Sequence, residues 1–214
     1  MIGKGMDLIL ENTWENIWNG TSAQIELVAQ FFNEISKAYS SKVRYYHNLQ
    51  HINQMLNSCL VYKYKIADIK NVQLAIFYHD VVYSAKRKDN EERSAKLAVK
   101  HLKKLNYPTQ QIEKCFTYIL ATKSHNFSII DSDLDYFLDF DLQKLGADWK
   151  EYEEYSKQIR LEYRFYPDLI YKPGRKKVLE HFLKLEKIYK SPEFFNLYEN
   201  QARINLLKEL EEIG

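Results

Sequence analysis

Residues 21–39, TSAQIELVAQFFNEISKAY, carry the pattern that decides the fold class. Behind the polar start Thr21-Ser22, apolar side chains recur every three or four positions, which is the spacing of one face of an α-helix. The stretch therefore predicts an amphipathic helix that buries one face. The apolar positions are Val28, Phe31, Phe32, Ile35 and Ala38.

The same helical period returns along the rest of the chain. Only 6 Gly and 4 Pro interrupt the 214 residues, which favours long helices over a β-rich fold with many turns. We expect an all-α, single-domain helical bundle, with helix ends placed to within about 2–4 residues. Further apolar stripes lie at Ala95, Ala98, Leu102 and Leu105, at Ile112, Cys115, Phe116, Ile119 and Leu120, and at Leu206, Leu207 and Leu210. Helices are predicted near 6–18, 22–39, 46–63, 69–83, 90–105, 109–122, 133–144, 148–165, 174–189 and 199–212.

The composition is that of an ordinary globular chain. A length of 214 residues fits one domain over 1–214. With 31 Lys and Arg against 29 Asp and Glu, the net charge is +2, which is not the strongly basic balance of a dedicated nucleic-acid binder. No run approaches the ~18 apolar residues of a membrane span, and Asp7 and Glu11 stand where a signal peptide is apolar. We expect a cytoplasmic protein with no membrane partner.

Two cysteines occur in the chain, Cys59 and Cys115. Each lies among apolar neighbours, and neither belongs to a Cys-x-x-Cys pair. The pattern predicts buried, reduced thiols and excludes a disulfide framework or a cysteine-based zinc site.

The first cluster with chemical potential is RYYHNLQH at 44–51. His47 and His51 are four residues apart, so on a helix their imidazoles would project from one face about one turn apart. That spacing suits two ligands of one ion, or one ligand beside an acid–base group. Two surface histidines also reach this spacing by chance.

The second cluster is the adjacent pair His79-Asp80 inside the apolar segment AIFYHDVVY at 75–83. A carboxylate in such a segment is costly to bury unless it is paired or bound to a metal. A third segment, LDYFLDFDL at 134–142, carries Asp139 and Asp141, which face different sides of a helix. One of these two carboxylates, either Asp141 or Asp139, can therefore point toward a core while the other meets water.

Together, His51, His79, Asp80 and Asp141 offer two imidazoles and two carboxylates. This mixed nitrogen and oxygen set suits a divalent ion such as Mn²⁺, Fe²⁺, Co²⁺ or Mg²⁺, with Zn²⁺ and Ni²⁺ as alternatives. An octahedral ion with four protein ligands keeps positions for water and a phosphate oxygen.

The order His, His-Asp, Asp on a helical chain resembles the HD superfamily of metal-dependent phosphohydrolases. Residues 46–51, YHNLQH, are similar to the Tyr-His-Asn-x-x-His motif of the cyclic-nucleotide phosphodiesterases in that superfamily. The likeness spans about residues 44–210, and further strings resemble a group of small bacterial HD proteins described as predicted phosphohydrolases. These strings are HDVVY at 79–83, Asn90-Glu91 with Ser94-Ala95, DFDL at 139–142 with Leu145-Gly146, Ile159-Arg160, Glu162-Tyr163, Tyr171, Gly174-Arg175, Val178-Leu179, Phe182-Leu183, Glu199, Ala202-Arg203 and Asn205.

The resemblance implies roles at the matching positions. His51, His79, Asp80 and Asp141 would be the metal ligands, and His47 would be the general acid that protonates the leaving oxygen. Another alignment makes His47 the first ligand in place of His51, and Asp139 rivals Asp141. Because the chain is far shorter than the phosphodiesterases and lacks Ala after His51, a cyclic-nucleotide substrate does not follow.

Five other residues complete the candidate site. Glu91 resembles an acid that orients water in some HD nucleotide hydrolases, although it would also suit the first turn of a helix. His125 is either a helix C-terminal cap or a group near a second metal. Arg44, Arg160 and Arg175 are candidates for phosphate binding, because the planar guanidinium pairs with phosphate through two hydrogen bonds.

The sequence thus predicts a metal-dependent phosphohydrolase, in which a metal-bound water attacks a phosphomonoester, a nucleotide or a pyrophosphate bond. The expected partner is a small phosphorylated molecule, with a nucleotide favoured. The alternative is a catalytically silent HD-fold protein that binds metal and nucleotide for regulation. A helical interaction protein without metal would require the His and Asp set to be coincidental. Substrate, native ion, one metal or two, and oligomeric state stay open.

Overall fold

The computed structural model describes residues 2–125 and 130–214, and within them the chain forms ten α-helices. Short 3-10 turns follow two of the helices, at Lys63–Lys65 and Gln143–Gly146. The all-α prediction is confirmed. The helices are α1 (Ile2–Trp18), α2 (Ile25–Tyr39), α3 (Leu49–Val61), α4 (Ile69–Tyr78), α5 (Asn90–Lys104), α6 (Thr109–Ala121), α7 (Ser132–Leu142), α8 (Trp149–Glu162), α9 (Asp168–Lys184) and α10 (Pro192–Ile213).

The chain divides into two compact units, one ending at Ser124 and the other running from His125 to Gly214. The first holds α1 to α6 and the second holds α7 to α10. The single-domain organisation expected from chain length stays a prediction. Over the described residues, each helix is too short or too polar to cross a bilayer.

Helix α4 is the centre of the first unit. Its apolar side chains from Val72 to Phe77 are at most 1% exposed, as the near-continuous apolar run AIFY suggests. Trp14 of α1 packs edge-on against Phe77, with 5.2 Å between ring centroids, and its indole N–H donates to the Val28 carbonyl 2.9 Å away. These contacts fix α1, α2 and α4 together, so the C-terminal end of α4 has a rigid support.

The thiols of the first unit are buried and form no disulfide, as the sequence predicted. Cys59 lies in α3 and Cys115 in α6, and both are 0% exposed. Burial raises the pKa of the Cys115 thiol, and the Asp68 carboxylate raises it further.

Two helix ends near the candidate site differ from the predicted ones. Helix α3 begins at Leu49 and not at 46, because the side chain of Asn48 accepts a hydrogen bond from the Gln50 amide (2.8 Å) and caps the helix there. Helix α4 ends at Tyr78, so His79 and Asp80 lie in the turn beyond it and not within a helix reaching 83. Both changes place predicted site residues at helix ends.

The last two helices begin earlier than predicted. Helix α9 starts at Asp168, directly after Pro167, and not at 174, and it continues through Pro173. Helix α10 starts at Pro192 and not at 199, with Ser191 as its N-cap. Ser followed by Pro and Glu is a helix start that the periodicity alone does not reveal.

In the second unit, Gly146 is where the chain passes closest to α10. A Cβ atom on Gly146 would lie 2.5 Å from the Cβ of Tyr198 and 2.8 Å from its carbonyl oxygen. The Asn205 side-chain amide donates to the carbonyls of Leu145 and Ala147, each at 2.8 Å, and so holds the turn against the helix. Glycine is required here by close approach.

We expect Gly146→Ala to lower the free energy of unfolding by about 1–3 kcal/mol, because the added methyl group must displace backbone as well as side chain. Urea denaturation followed by circular dichroism measures the change. Gly174→Ala is the matched control: a Cβ there meets nothing within 4 Å, and α9 should gain about 0.5–1 kcal/mol. Equal stabilities for the two variants would contradict the close packing at Gly146.

Candidate metal centre

Two buried histidines face each other in the first unit. The Nε2 atoms of His51, in the first turn of α3, and of His79, at the end of α4, lie 3.3 Å apart. The residues are 3% and 1% exposed. Two nitrogen ligands bound at about 2.0–2.1 Å around a tetrahedral ion would be separated by about 3.3 Å. The distance between the two Nε2 atoms therefore matches that of two ligands of one metal ion.

The backbone fixes the proton on His79. Its Nδ1 lies 2.9 Å from the Ile76 carbonyl oxygen, which can only accept, so Nδ1 carries the hydrogen. The lone pair of the neutral ring is then on Nε2, directed at His51. A ligating histidine whose other nitrogen donates to a backbone carbonyl is the usual outer arrangement of a metal site.

Asp80 supplies a carboxylate beside this pair. Its Oδ2 atom lies 3.4 Å from Nε2 of His79 and 3.8 Å from Nε2 of His47. The side chain is 14% exposed, and the Asp80 amide donates to the Tyr39 hydroxyl at 3.2 Å. His79 and Asp80 are therefore held by two different elements, α4 and the last residue of α2.

His47 and His51 do not share a helical face, and that expectation was wrong. Asn48 caps α3, so His47 precedes the helix and lies in the turn before it. The two rings are nevertheless close, with 6.0 Å between centroids, and His47 packs beside Tyr83 at 4.5 Å. At 20% side-chain exposure, His47 reaches solvent as the buried pair does not.

Arg44 joins the two segments that carry these residues. Its Nη1 donates to the carbonyls of His47 (3.2 Å) and Asp80 (2.6 Å), and its Nη2 donates to the carbonyl of Val81 (2.9 Å). The residue is only 8% exposed, and its guanidinium lies over the Tyr39 ring at 4.8 Å. The guanidinium thus links the backbone of the segment at His47 to that of the segment at Asp80 and Val81, and we call this set of hydrogen bonds the Arg44 clamp. The predicted contact of Arg44 with substrate stays a prediction.

The start of α5 supports the same region. The Asn90 side chain forms two hydrogen bonds with the backbone of Ser84, and the Ser94 hydroxyl forms two with the backbone of Val82. The motif resemblance includes Asn90 and Ser94 but gives them no role. Their position in the first turns of the helix that follows the His-Asp segment is the sequence feature that could have indicated this supporting role.

Glu91 lies in the first turn of α5, where its sequence position predicted it. Partial burial raises the pKa of its carboxyl, and the negative charge of Asp80 raises it further. A carboxyl with a raised pKa suits proton transfer near neutral pH. Its neighbour Glu92 is bound to Lys123 instead.

Asp141 and His125 meet in the second unit. The Oδ2 atom of Asp141 lies 2.9 Å from Nε2 of His125, and the two side chains are 14% and 11% exposed. Asp141 stands at the penultimate position of α7, and His125 precedes that helix. The pair brings together a predicted ligand and a predicted neighbour of the metal.

Asp139 has a different use within the second unit. Its carboxylate accepts from the backbone amides of Lys190 (2.8 Å) and Ser191 (2.7 Å) and from the Ser191 hydroxyl (2.6 Å). Burial raises the pKa of Asp139 to about 7, while the three donors act in the opposite direction. Both oxygens are engaged at the start of α10, which favours Asp141 over Asp139 as a ligand.

Removing the Asp139 carboxylate should destabilise the second unit. We expect Asp139→Ala to lower the free energy of unfolding by about 2–4 kcal/mol, because two backbone N–H groups and a hydroxyl lose their acceptor. Asp135→Ala, on the same helix, should cost less than about 1 kcal/mol, since that side chain serves mainly the helix N-terminus. Urea titrations of both variants measure the difference, and similar midpoints would contradict the assigned role.

The two remaining arginine candidates are engaged inside the second unit. Arg175 is 7% exposed and bonds Glu209 through two hydrogen bonds of 2.8 and 2.9 Å. Arg160 donates to the Asp168 carboxylate and to the carbonyls of Tyr163 and Tyr166. Substrate binding by either residue stays a prediction.

The donor chemistry allows metal binding. His51, His79 and Asp80, all in the first unit, each offer a ligand atom to a metal ion. Two imidazoles with carboxylate oxygen form a mixed set that many divalent ions accept, so it does not select one ion.

Comparison with known proteins adds no family to this description. No protein-family model matches the chain, and neither a curated protein nor a solved structure matches it. What stands is the class: an all-α protein whose first unit holds two buried histidines beside the Asp80 carboxylate, side chains of the kinds that bind metal ions.

The Arg44 clamp generates a stability prediction. Arg44→Met keeps the length of the side chain but leaves three backbone carbonyls without their donor, so we expect a loss of about 2–3 kcal/mol in the free energy of unfolding. Arg93→Met is the control, because Arg93 is half-exposed and pairs only with Asp89 in the described structure; its loss should stay below about 1 kcal/mol. Thermal and urea unfolding measure both. Equal losses would show that the clamp does not stabilise the site.

Proposed function

We propose that this protein is a metal-dependent phosphohydrolase of the HD type. In this proposal His51, His79 and Asp80 of the first unit bind a divalent ion, the motif resemblance adds Asp141 as the fourth ligand, and the substrate is a phosphomonoester, a nucleotide or a pyrophosphate. The observation that carries the proposal is the pair of buried imidazoles whose Nε2 atoms face each other at 3.3 Å.

The residues fit a divalent ion on chemical grounds. The proton on Nδ1 of His79 leaves Nε2 as a lone-pair donor, and Asp80 adds a carboxylate oxygen 3.4 Å away. Neutral imidazole and carboxylate are ligands that Mn²⁺, Fe²⁺, Co²⁺ and Zn²⁺ accept, and Mg²⁺ binds the carboxylate part of such a set. When bound, such an ion lowers the pKa of a coordinated water and offsets negative charge on a phosphoryl group.

His47 is the proposed proton donor to the leaving oxygen. It lies beside Asp80 but is more exposed than the buried pair, so its ring can meet both substrate and solvent. Its Nε2 lies 3.8 Å from Oδ2 of Asp80, so the proposed proton donor stands next to a proposed metal ligand. Its position before α3 keeps it outside the helix that carries His51.

Glu91 is the proposed proton acceptor. Burial and the charge of Asp80 raise the pKa of its carboxyl, which strengthens it as a base. Its place in the first turn of α5 puts it next to the loop that Asn90 and Ser94 hold. The assignment to phosphoryl substrates, the nucleotide preference and the cytoplasmic location rest on the motif resemblance and belong to the same proposal.

Metal binding is tested first. Protein stripped with a chelator is titrated with Mn²⁺, Fe²⁺, Co²⁺ and Mg²⁺ by calorimetry, and bound metal is measured by mass spectrometry. We expect binding by the wild type, and a loss of at least about 10–100-fold in affinity for His79→Ala and Asp80→Ala. His181→Ala, which removes an exposed histidine of α9, should bind as the wild type does. No binding by the wild type would refute the proposal.

Turnover is tested on the loaded protein with p-nitrophenyl phosphate, bis(p-nitrophenyl) phosphate and a panel of nucleoside mono- and triphosphates. We expect His79→Ala and Asp80→Ala to lose hydrolysis with their metal. His47→Ala should keep the metal and lose about 10²–10⁴-fold in rate, because only the proton donor is missing.

Two outcomes would redirect the assignment. If His47→Ala abolishes metal binding while His51→Ala retains it, His47 is the ligand and the alternative alignment is correct. Metal binding without turnover of any phosphate in the panel would favour the regulatory, catalytically silent protein over the enzyme.

A further inference from the structure

The corner between α8 and α9 exposes an unusual apolar surface, which we call the apolar tip. It consists of Phe165, Leu169, Ile170 and Pro173. Leu169 is 88% exposed, Phe165 60% and Ile170 58%, although surface positions of helices are usually polar. A leucine with this exposure makes little contact with its neighbours, so its side chain projects into solvent.

Cations surround this tip. Lys172, Lys176 and Lys177 are exposed on the same helix, and within the described chain no carboxylate forms an ion pair with any of the three. Arg164 lies beside them, with its guanidinium over the Phe165 ring at 5.4 Å. Asp168, the one carboxylate within the tip's own sequence range, is bound to Arg160 at 2.7 Å. The corner therefore presents apolar side chains beside three lysines that have no ion-pair partner among the described residues.

The base of the tip is firmly built. Arg160 donates to the carbonyls of Tyr163 and Tyr166 at 3.1 Å each, and its guanidinium lies 4.5 Å from the Tyr171 ring centroid. Tyr171 and Arg175, one turn apart on α9, are buried, so the opposite face of the helix is held toward solvent. The apolar exposure is thus a fixed feature of the corner.

We propose that this corner attaches the protein peripherally to an anionic lipid bilayer, with Phe165, Leu169 and Ile170 entering the headgroup region. Apolar and aromatic side chains that insert, ringed by lysines that meet anionic lipid, are the two components of interfacial binding. The unpaired lysines supply the charge complementarity, and the projecting side chains suit a deformable surface. Because attachment needs no spanning helix, this inference departs from the sequence-based expectation of no membrane partner.

Flotation with vesicles tests the attachment. The full chain is mixed with vesicles of phosphatidylcholine alone or with about 30% phosphatidylglycerol, at low and high NaCl. We expect binding to the anionic vesicles that weakens as salt rises, and little binding to neutral ones. Each lysine near an anionic surface contributes about fivefold in binding, so Lys172→Gln, Lys176→Gln and Lys177→Gln together should weaken it about a hundredfold.

Two matched controls distinguish specific binding through this corner from nonspecific binding of the protein to vesicles. Lys96→Gln, Lys100→Gln and Lys103→Gln change the net charge equally on exposed positions of α5 and should leave binding intact. Leu169→Ser with Ile170→Ser should abolish binding, whereas Ile204→Ser with Leu207→Ser, on half-exposed positions of α10, should not. Circular dichroism confirms that each variant is folded.

Several results would overturn the proposal. These are absence of binding to anionic vesicles by the wild type, equal loss in the α5 control, or unchanged binding after the Leu169 and Ile170 changes. If the wild type instead sediments as a dimer that Leu169→Ser dissociates, with no vesicle binding, the tip joins two copies of the chain and does not meet lipid.

Discussion

Burial of two imidazoles in an apolar unit is the constraint on which the candidate site depends. A polar ring inside a helical core is costly unless each nitrogen has a partner. One nitrogen of His79 donates to the Ile76 carbonyl, and the other lies 3.3 Å from Nε2 of His51 and 3.4 Å from Oδ2 of Asp80. The packing of α3 against α4 enforces this juxtaposition. A cation placed between the rings would bind both facing nitrogens at once.

Most of the helices were predictable from periodicity, whereas several of their ends were not. The stripe from Val28 to Ala38 predicted α2, which runs from Ile25 to Tyr39. Helix α9 begins six residues before the predicted start at 174 and accommodates Pro173 in its interior. The N-cap Ser191 was overlooked, because the helix it starts has no simple apolar stripe at its beginning. Local capping chemistry and tertiary packing, and not periodicity, set these ends.

The candidate site was predictable in residue type but not in supporting contacts. Motif order indicated His51, His79 and Asp80, and the structure brings those three together within the first unit. Arg44 was expected to face substrate, yet it binds backbone carbonyls from a segment about 36 residues away. Such a contact depends on the tertiary fold and leaves no local mark in the sequence. The separate uses of Asp139 and Asp141 were equally hidden, since both carboxylates stand on one helix.

The buried thiols of Cys59 and Cys115 make it possible to measure how often the first unit opens to solvent. Both belong to the first unit, and the chain has no other cysteine. A thiol shielded from solvent reacts with alkylating reagents only while its surroundings are open. The rate of alkylation therefore records how often the unit bearing the histidine pair opens, without contribution from α7 to α10.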